Sequence, residues 1–303
     1  MVGSLINIMD DLFDMFNDLH EDTSKRSRDK DIIRAPFGYP GGKDRSINQL
    51  LEYLPAPRDK WIDVCGGSGI VTLNRERSAI VDVYNDRWSG VVAFFRCIRD
   101  PIKCQQLSDQ INLTMHSREE FVYAKANYDN PALDDVERAN LFYQMIVQSF
   151  STLGRNWART LNTKANFKRI IDIEYWKQLH SRFSECQIEN MDWKECFHDY
   201  DSLGSIFYID PPYPNTDVGI YKHKFSNEDH NNLCKYIHTF AKGYVAVSSY
   251  KNTIYDKYPW DDVHIWEVPV TIDSRSSTLG GNRTYNGQKL ATAYECLYVK
   301  EAD

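Results

Sequence analysis

The chain has 303 residues, 42% hydrophobic and 26% charged, an ordinary globular composition long enough for one large domain or a large and a small one. Its net charge of −7 excludes a protein that coats nucleic acid through bulk charge, although a local basic groove stays open. Seven cysteines, an odd count with no CxxC pair, exclude a legible zinc or disulfide framework and imply a reducing compartment, and no apolar run approaches the length of a membrane span.

Over residues 3–20, Leu5, Ile8, Met9, Leu12, Phe13, Phe16 and Leu19 recur at helical spacing, with Asp10, Asp11, Asp14 and Asp18 mostly on the other face. An acidic amphipathic helix is expected, packed on the body or on a partner chain. Its acids exclude a signal peptide. A charged linker fills 21–34. At 35–43, Ala-Pro-Phe-Gly-Tyr-Pro-Gly-Gly-Lys makes a tight loop, followed by a helix with Ile47, Leu50, Leu51 and Leu54 on one face. Gly41-Gly42-Lys43 at a helix start suits an anionic group, but Asp44 breaks the GxxxxGK[ST] spacing, and an ordinary turn with a surface lysine is the competing reading.

At 61–69 an apolar strand runs into the turn Cys65-Gly66-Gly67-Ser68-Gly69, with a helix expected from Ile70 to about Arg77. Glycines there let a ligand approach the backbone, and Asp63 can bind an ammonium group. The turn is shorter than GxGxxG, so NAD is not its natural ligand. A second strand, 79–84, ends in Tyr84-Asn85-Asp86. An acid about 20 residues after the glycine turn sits where a ribose is held, and Asp86 also suits the cap of the helix carrying Val91, Phe94, Phe95 and Ile98.

Two helices are expected over 117–150. Composition then shifts: residues 151–182 hold seven basic side chains, Arg155, Arg159, Lys164, Lys168, Arg169, Lys177 and Arg182, against Asp172 and Glu174. Trp157, Phe167, Tyr175 and Trp176 are interleaved, as a nucleic-acid contact surface requires; a solvated loop and helix face is the alternative. A third strand at 187–190 leads into Met191-Asp192-Trp193. The apolar run Ile206–Ile209 then reads as a buried strand stopped at Asp210-Pro211-Pro212-Tyr213. The Asp210 carboxylate and the Pro211 carbonyl can together accept both hydrogens of one exocyclic amino group, and Tyr213 offers a face for a planar base. That suits amino-methylation of a nucleobase, whereas a strand end with a capping Asp is the ordinary reading of the motif alone. A polar loop over 214–224, a helix from Ser226 to about Ala241, strands at 243–248, 262–270 and 293–299, and a flexible loop over 271–289 complete the chain.

Taken in order, Tyr39-Pro40-Gly41-Gly42-Lys43, Asp63-Val64-Cys65-Gly66-Gly67-Ser68-Gly69, Asn85-Asp86, Asn190-Met191-Asp192 and Asp210-Pro211-Pro212-Tyr213 resemble the Dam-type DNA adenine N6-methyltransferases over roughly 35–300. Two positions depart from the family's habit: Cys65 stands where Phe is frequent, and Tyr39-Pro40 where Trp-Ala is frequent. The resemblance implies an α/β fold, a Rossmann-like methyltransferase sheet with helices on both faces, plus a smaller, mainly helical target-recognition domain. Residues 35–100 and 186–303 would form the catalytic domain, 101–185 the recognition domain, and 1–34 an appended helix and linker.

It further implies S-adenosylmethionine as methyl donor. Gly66, Gly67 and Gly69 would wrap its methionine part, beside Asp63 and Cys65. Asp86 would hold the ribose, Asp192 would lie beside the adenine, and Tyr39, Gly41, Gly42 and Lys43 would close the pocket, with Lys43 a candidate partner for a carboxylate. Asp210, Pro211, Pro212 and Tyr213 would act on an adenine flipped out of duplex DNA, and Arg155, Arg159, Lys164, Lys168 and Arg169 would contact that DNA. The chemistry requires no metal and no membrane. The protein would be cytoplasmic, associated with the nucleoid if prokaryotic or viral, and a monomer or a homodimer, the N-terminal helix being one candidate contact. Cytosine N4 or an RNA adenine as acceptor, and a non-catalytic nucleic-acid-binding module, are the alternatives.

Overall fold

The computed structural model describes residues 32–159, 173–214, 222–269, 283–285, 288–290 and 292–303; the expected acidic helix at 3–20 lies outside them. Strands are β1 (Lys60–Asp63), β2 (Val81–Asn85), β3 (Gln187–Glu189), β4 (Ser205–Ile209), β5 (Tyr244–Tyr250), β6 (Asp262–Pro269), β7 (Arg283–Tyr285), β8 (Gln288–Leu290) and β9 (Thr292–Lys300). Helices are α1 (Ile47–Tyr53), α2 (Ile70–Asn74), α3 (Ser89–Arg99), α4 (Pro101–Leu113), α5 (Arg118–Asn127), α6 (Asp135–Val147), α7 (Ile173–Phe183), α8 (Trp193–Tyr200) and α9 (Asn227–Phe240).

Seven strands form one sheet in the order β3-β2-β1-β4-β5-β9-β6. The first five run parallel, and β9 inserts antiparallel between β5 and β6. The architecture is the mixed α/β, Rossmann-like sheet flanked by helices that the sequence implies. Its central strands are apolar on both faces because both faces are covered. Side chains alternate across the sheet: Trp61, Ile206, Tyr208 and Ala246 pack on one side with Ile47, Leu50 and Ile70, while Ile62, Phe207, Ile209 and Val247 pack on the other with Trp193, Phe197, Leu233 and Ile237.

A third core joins the helical segment to the sheet. Val91, Phe94, Phe95 and Ile98 of α3 pack with Phe142 and Ile146 of α6 and Phe183 of α7, reaching Tyr84 and Ile188 of the sheet. The helices of 101–185 therefore share a core with α3 and the sheet. Helix α6 begins in a capping box, Asp134 accepting from the Glu137 N–H while Glu137 reaches back.

Several elements differ from the expected ones. Helix α2 stops at Asn74, because Arg75 turns to extended backbone and the N–H groups of Ala79 and Ile80 bond to Arg58 and Asp59 on the way into β2. Helix α4, capped by Asp100 with Pro101 at its first position, and α8, capped by Asp192 with Glu195 reaching back, carry start signals that the apolar pattern obscures. The stretch expected as a loop over 271–289 contains β7 and most of β8, an antiparallel pair whose sequence is bridged by the hairpin dipeptide Asn286-Gly287.

Candidate active site at the carboxyl edge of the sheet

Parallel pairing brings the ends of β1, β2, β3 and β4 to one edge, at the switch point where open α/β sheets bind ligands. Asn85, fully buried, staples that edge. Its amide donates to the Val64 carbonyl at 2.8 Å and the Met191 carbonyl at 3.1 Å, and accepts from the Met191 N–H at 2.8 Å. Asn190 donates to the Asp86 carbonyl at 2.7 Å, locking the third strand's exit to the second's.

The glycine turn folds back between these ends. Gly67 and Gly69 hold φ of +51° and +72°, the left-handed region that a side chain resists. A Cβ on Gly67 would stand 2.9 Å from the Tyr39 ring, so this backbone and that ring define one narrow cradle. Asp86 fastens the turn: its carboxylate accepts from the Gly67 N–H at 2.9 Å and from the Trp88 N–H at 2.7 Å, so it anchors the start of α3 as well. Burial pushes its carboxyl up to about 6, against those two hydrogen bonds.

Asp63 is 1% exposed. One oxygen accepts from the Thr72 hydroxyl at 2.8 Å, which in turn accepts from the Trp61 indole at 3.1 Å. The other oxygen is buried and has no hydrogen-bond partner. Burial drives the carboxyl up to about 7, the Thr72 hydrogen bond opposing and nearby Asp210 and Asp86 adding to the rise. A buried acceptor left open beside a glycine turn is a place for a cationic donor.

Asp210 lies at the end of β4, its side chain 17% exposed. Both its oxygens are taken by one cation, Lys43 Nζ, at 2.7 and 2.6 Å. Lys43 is buried, donates to the Gly41 carbonyl at 3.2 Å, and stands 3.5 Å from Glu295 and 4.9 Å from the centre of the Tyr213 ring. Burial disfavours its charge, yet Asp210 and Glu295 outweigh that and raise its pKa. Asp210 rises to about 6, through burial first, with Lys43 pulling it down and Glu295 pushing it up. The Tyr213 hydroxyl donates to Glu295, and the Tyr213 ring meets Tyr250 edge-on at 4.8 Å. Pro211 is buried and Pro212 half-buried.

The structure thus gathers Tyr39, Gly41, Gly42, Lys43, Asp63, Cys65, the glycine turn, Asp86 and Asp210 to Tyr213 around one edge. Asp192 stands off: its carboxylate caps α8 and pairs with Arg87 at 3.1 Å. Of the basic side chains, Arg155 is half-buried and Arg159 exposed; Lys164, Lys168 and Arg169 lie outside the described residues. Sequence reasoning quoted Asn85 in a motif without giving it a role, and missed Thr72 and Glu295 as site residues. Glu295 did carry a signal: it is a carboxylate inside the apolar run Ala293–Val299, and a charge in a strand paired on both sides needs a buried partner.

Residues 39–272 match the family described as D12 class N6 adenine-specific DNA methyltransferase. Among curated proteins, the chain is 27% identical over 198 residues to Modification methylase LlaI of Lactococcus lactis subsp. lactis, covering 61% of this chain and 30% of that protein. It is 24% identical over 220 residues to Modification methylase StsI of Streptococcus sanguinis, covering 68% of this chain and 32% of that protein. The matched segments span about a third of the length of these relatives.

Proposed function

The chain belongs to the D12 class N6 adenine-specific DNA methyltransferases, and from that premise we propose that it methylates the N6 amino group of an adenine flipped out of duplex DNA, with S-adenosylmethionine as donor. The observation that carries the reading is the meeting, at one sheet edge, of the Asp210 carboxylate with the glycine cradle and the open Asp63 oxygen. These residues fit the donor: the buried Asp63 acceptor suits its ammonium, the left-handed Gly67 lets its backbone come close, and Asp86, the residue after β2, is the acid for its ribose; Asp192, three residues past β3, is proposed beside the base. When bound, the donor supplies a methyl group on a sulfonium, already a strong electrophile.

What remains for the chain's own residues is to make a weak nucleophile better and to hold it still. An exocyclic amino group on a purine has its lone pair delocalised into the ring. The Asp210 carboxylate and the Pro211 carbonyl accept its hydrogens and localise that density on nitrogen. The two prolines keep the acceptors from drifting, since neither can rotate about φ. The Tyr213 ring, braced by Glu295 and Tyr250, walls the pocket against the base and offsets part of the few kcal/mol that unstacking costs. Contacts to the DNA backbone fall to Arg155 and Arg159, together with Lys164, Lys168 and Arg169 on the same basic stretch.

The test is a transfer assay with labelled donor and unmethylated duplex DNA, the product nucleosides resolved by mass and the methylated positions mapped. N6-methyladenine is expected. Label confined to N4-methylcytosine, or to RNA offered in parallel, overturns the assignment. In the same assay Asp210→Ala should lower turnover by about 10²–10³-fold, the scale of losing one preorganised hydrogen-bonding group, while donor binding by calorimetry persists.

A further inference from the structure

Resting on that reading, we propose that Glu295 is the second station of the Lys43 ammonium: it takes over that charge when the target amino group arrives, and so releases Asp210 to work as an acceptor. In the structure one ammonium sits astride both Asp210 oxygens, at 2.7 and 2.6 Å. A carboxylate neutralised in this way is a poor acceptor for an amino group, and it is the negative charge of Asp210 that the chemistry needs. Lys43 must therefore give way.

It cannot retreat to water, being 4% exposed, and a buried ammonium without a partner is far too costly to form. Among the described residues two carboxylates lie within 4 Å of it, Asp210 and Glu295. Glu295 is itself 5% exposed and stands at 3.5 Å, a shift of about an ångström from a charge-assisted hydrogen bond. The trio carries one cation against two carboxylates. One acid is always uncompensated, and the position of Lys43 decides which.

The fold explains how Glu295 reaches this place. Because β9 runs antiparallel to β5, its first residues arrive at the edge where β4 and β5 end, with Glu295 opposite Tyr250. The oxygen nearest Lys43 is also the one that accepts from the Tyr213 hydroxyl. Glu295 thus links the wall of the pocket to the cation that governs its acceptor. It touches no reacting atom and is a positioning residue.

The test uses Glu295→Gln, which keeps an acceptor for Tyr213 and removes the charge. The charged and titratable groups facing Asp210 are Lys43 and Tyr213 from the loops, Asp63 and Cys65 from the end of β1, Tyr208 from β4, Tyr250 from β5, Tyr255 from the turn after β5 and Glu295 itself. Of these, Glu295 raises the Asp210 pKa, so its neutralisation lowers it. We expect kcat to fall at least tenfold, donor affinity and the KM for DNA to stay within about twofold, and the acidic limb of kcat to move to lower pH. A merely structural role would reduce kcat without moving the limb. Wild-type kcat with an unmoved limb overturns the proposal.

A second measurement needs no variant. In protein labelled with ¹⁵N-lysine, the Lys43 ammonium signal should shift when a duplex carrying the mapped methylation sequence is added with S-adenosylhomocysteine, and should not shift with S-adenosylhomocysteine alone. Duplex binding without a shift overturns the proposal. Wild-type transfer to adenine tests the functional reading, so a failure there is told apart from a failure of Glu295.

Discussion

Single residues decide how this site binds and when. The open oxygen of Asp63 makes the clearest case, because its carboxyl rises from 3.8 to about 7 on folding. A raised value means that the folded state holds a proton the unfolded chain has already lost. Stability of the donor-free protein should therefore fall as pH climbs from about 4 to about 7, and level off above. Donor binding should run the other way, since an ammonium wants the ionised acid: affinity should weaken about tenfold for each pH unit below 7. Calorimetry from pH 5.5 to 7.5 measures this, and Asp63→Asn should flatten the dependence; an equally steep profile in that variant would move the ammonium site elsewhere. Asp63, Lys43 and Asp210 could be picked out in the sequence because each sits where an apolar strand or a glycine turn stops. Glu295 showed only as a lone carboxylate in an apolar run; its meaning arises when a distant strand pairs beside β5. Asn85 stood in a quoted motif without a role, because its amide serves the backbone of neighbouring segments, and Thr72 escaped because a hydroxyl that serves two side chains leaves no spacing to read.

At the scale of elements, the glycine turn is held as tightly as it is bent. Gly69 stands at φ +72°, and a Cβ there would meet the Phe95 ring at 2.6 Å and the Phe183 ring at 3.0 Å. Gly69→Ala combines backbone strain with overpacking, about 2–4 kcal/mol together, and should lower Tm by roughly 5–10 °C in a calorimetric scan. An unchanged Tm would mean that the α2 entrance yields more easily than its packing implies. Strands and long amphipathic helices were legible because periodicity and stop residues agree, as at Ser205–Ile209 before Asp210 and at Asn227–Phe240 after Ser226. Helices α4 and α8 were not, since their buried faces carry only Cys104, Leu107 and Ile111 in one and Trp193, Cys196 and Phe197 in the other, too little apolar signal to stand out. The β7–β8 pair was lost in a polar stretch where its only mark was Asn286-Gly287.

For the whole molecule, the basic stretch of 151–182 stands out in an acidic chain and is the proposed contact with DNA. Affinity for duplex should fall steeply with salt, and Arg155→Ala and Arg159→Ala should each reduce the slope of log Kobs against log salt by about one unit. Slopes unchanged in both would place the DNA elsewhere. The helices that would carry this contact share a core with α3 and the sheet, from Phe142 and Ile146 through Phe94 to Tyr84. One feature of the sheet also sets an order in time. Every other strand of the seven leaves the ribosome before β9, yet β9 is the one that wedges between β5 and β6 and delivers Glu295 beside Lys43 and Tyr213. A nascent chain can assemble β1 to β5 and the glycine cradle first, but the edge that carries Asp210 stays incomplete until residues near 300 emerge. Synthesis itself thus withholds the finished pocket until the sheet has closed around it.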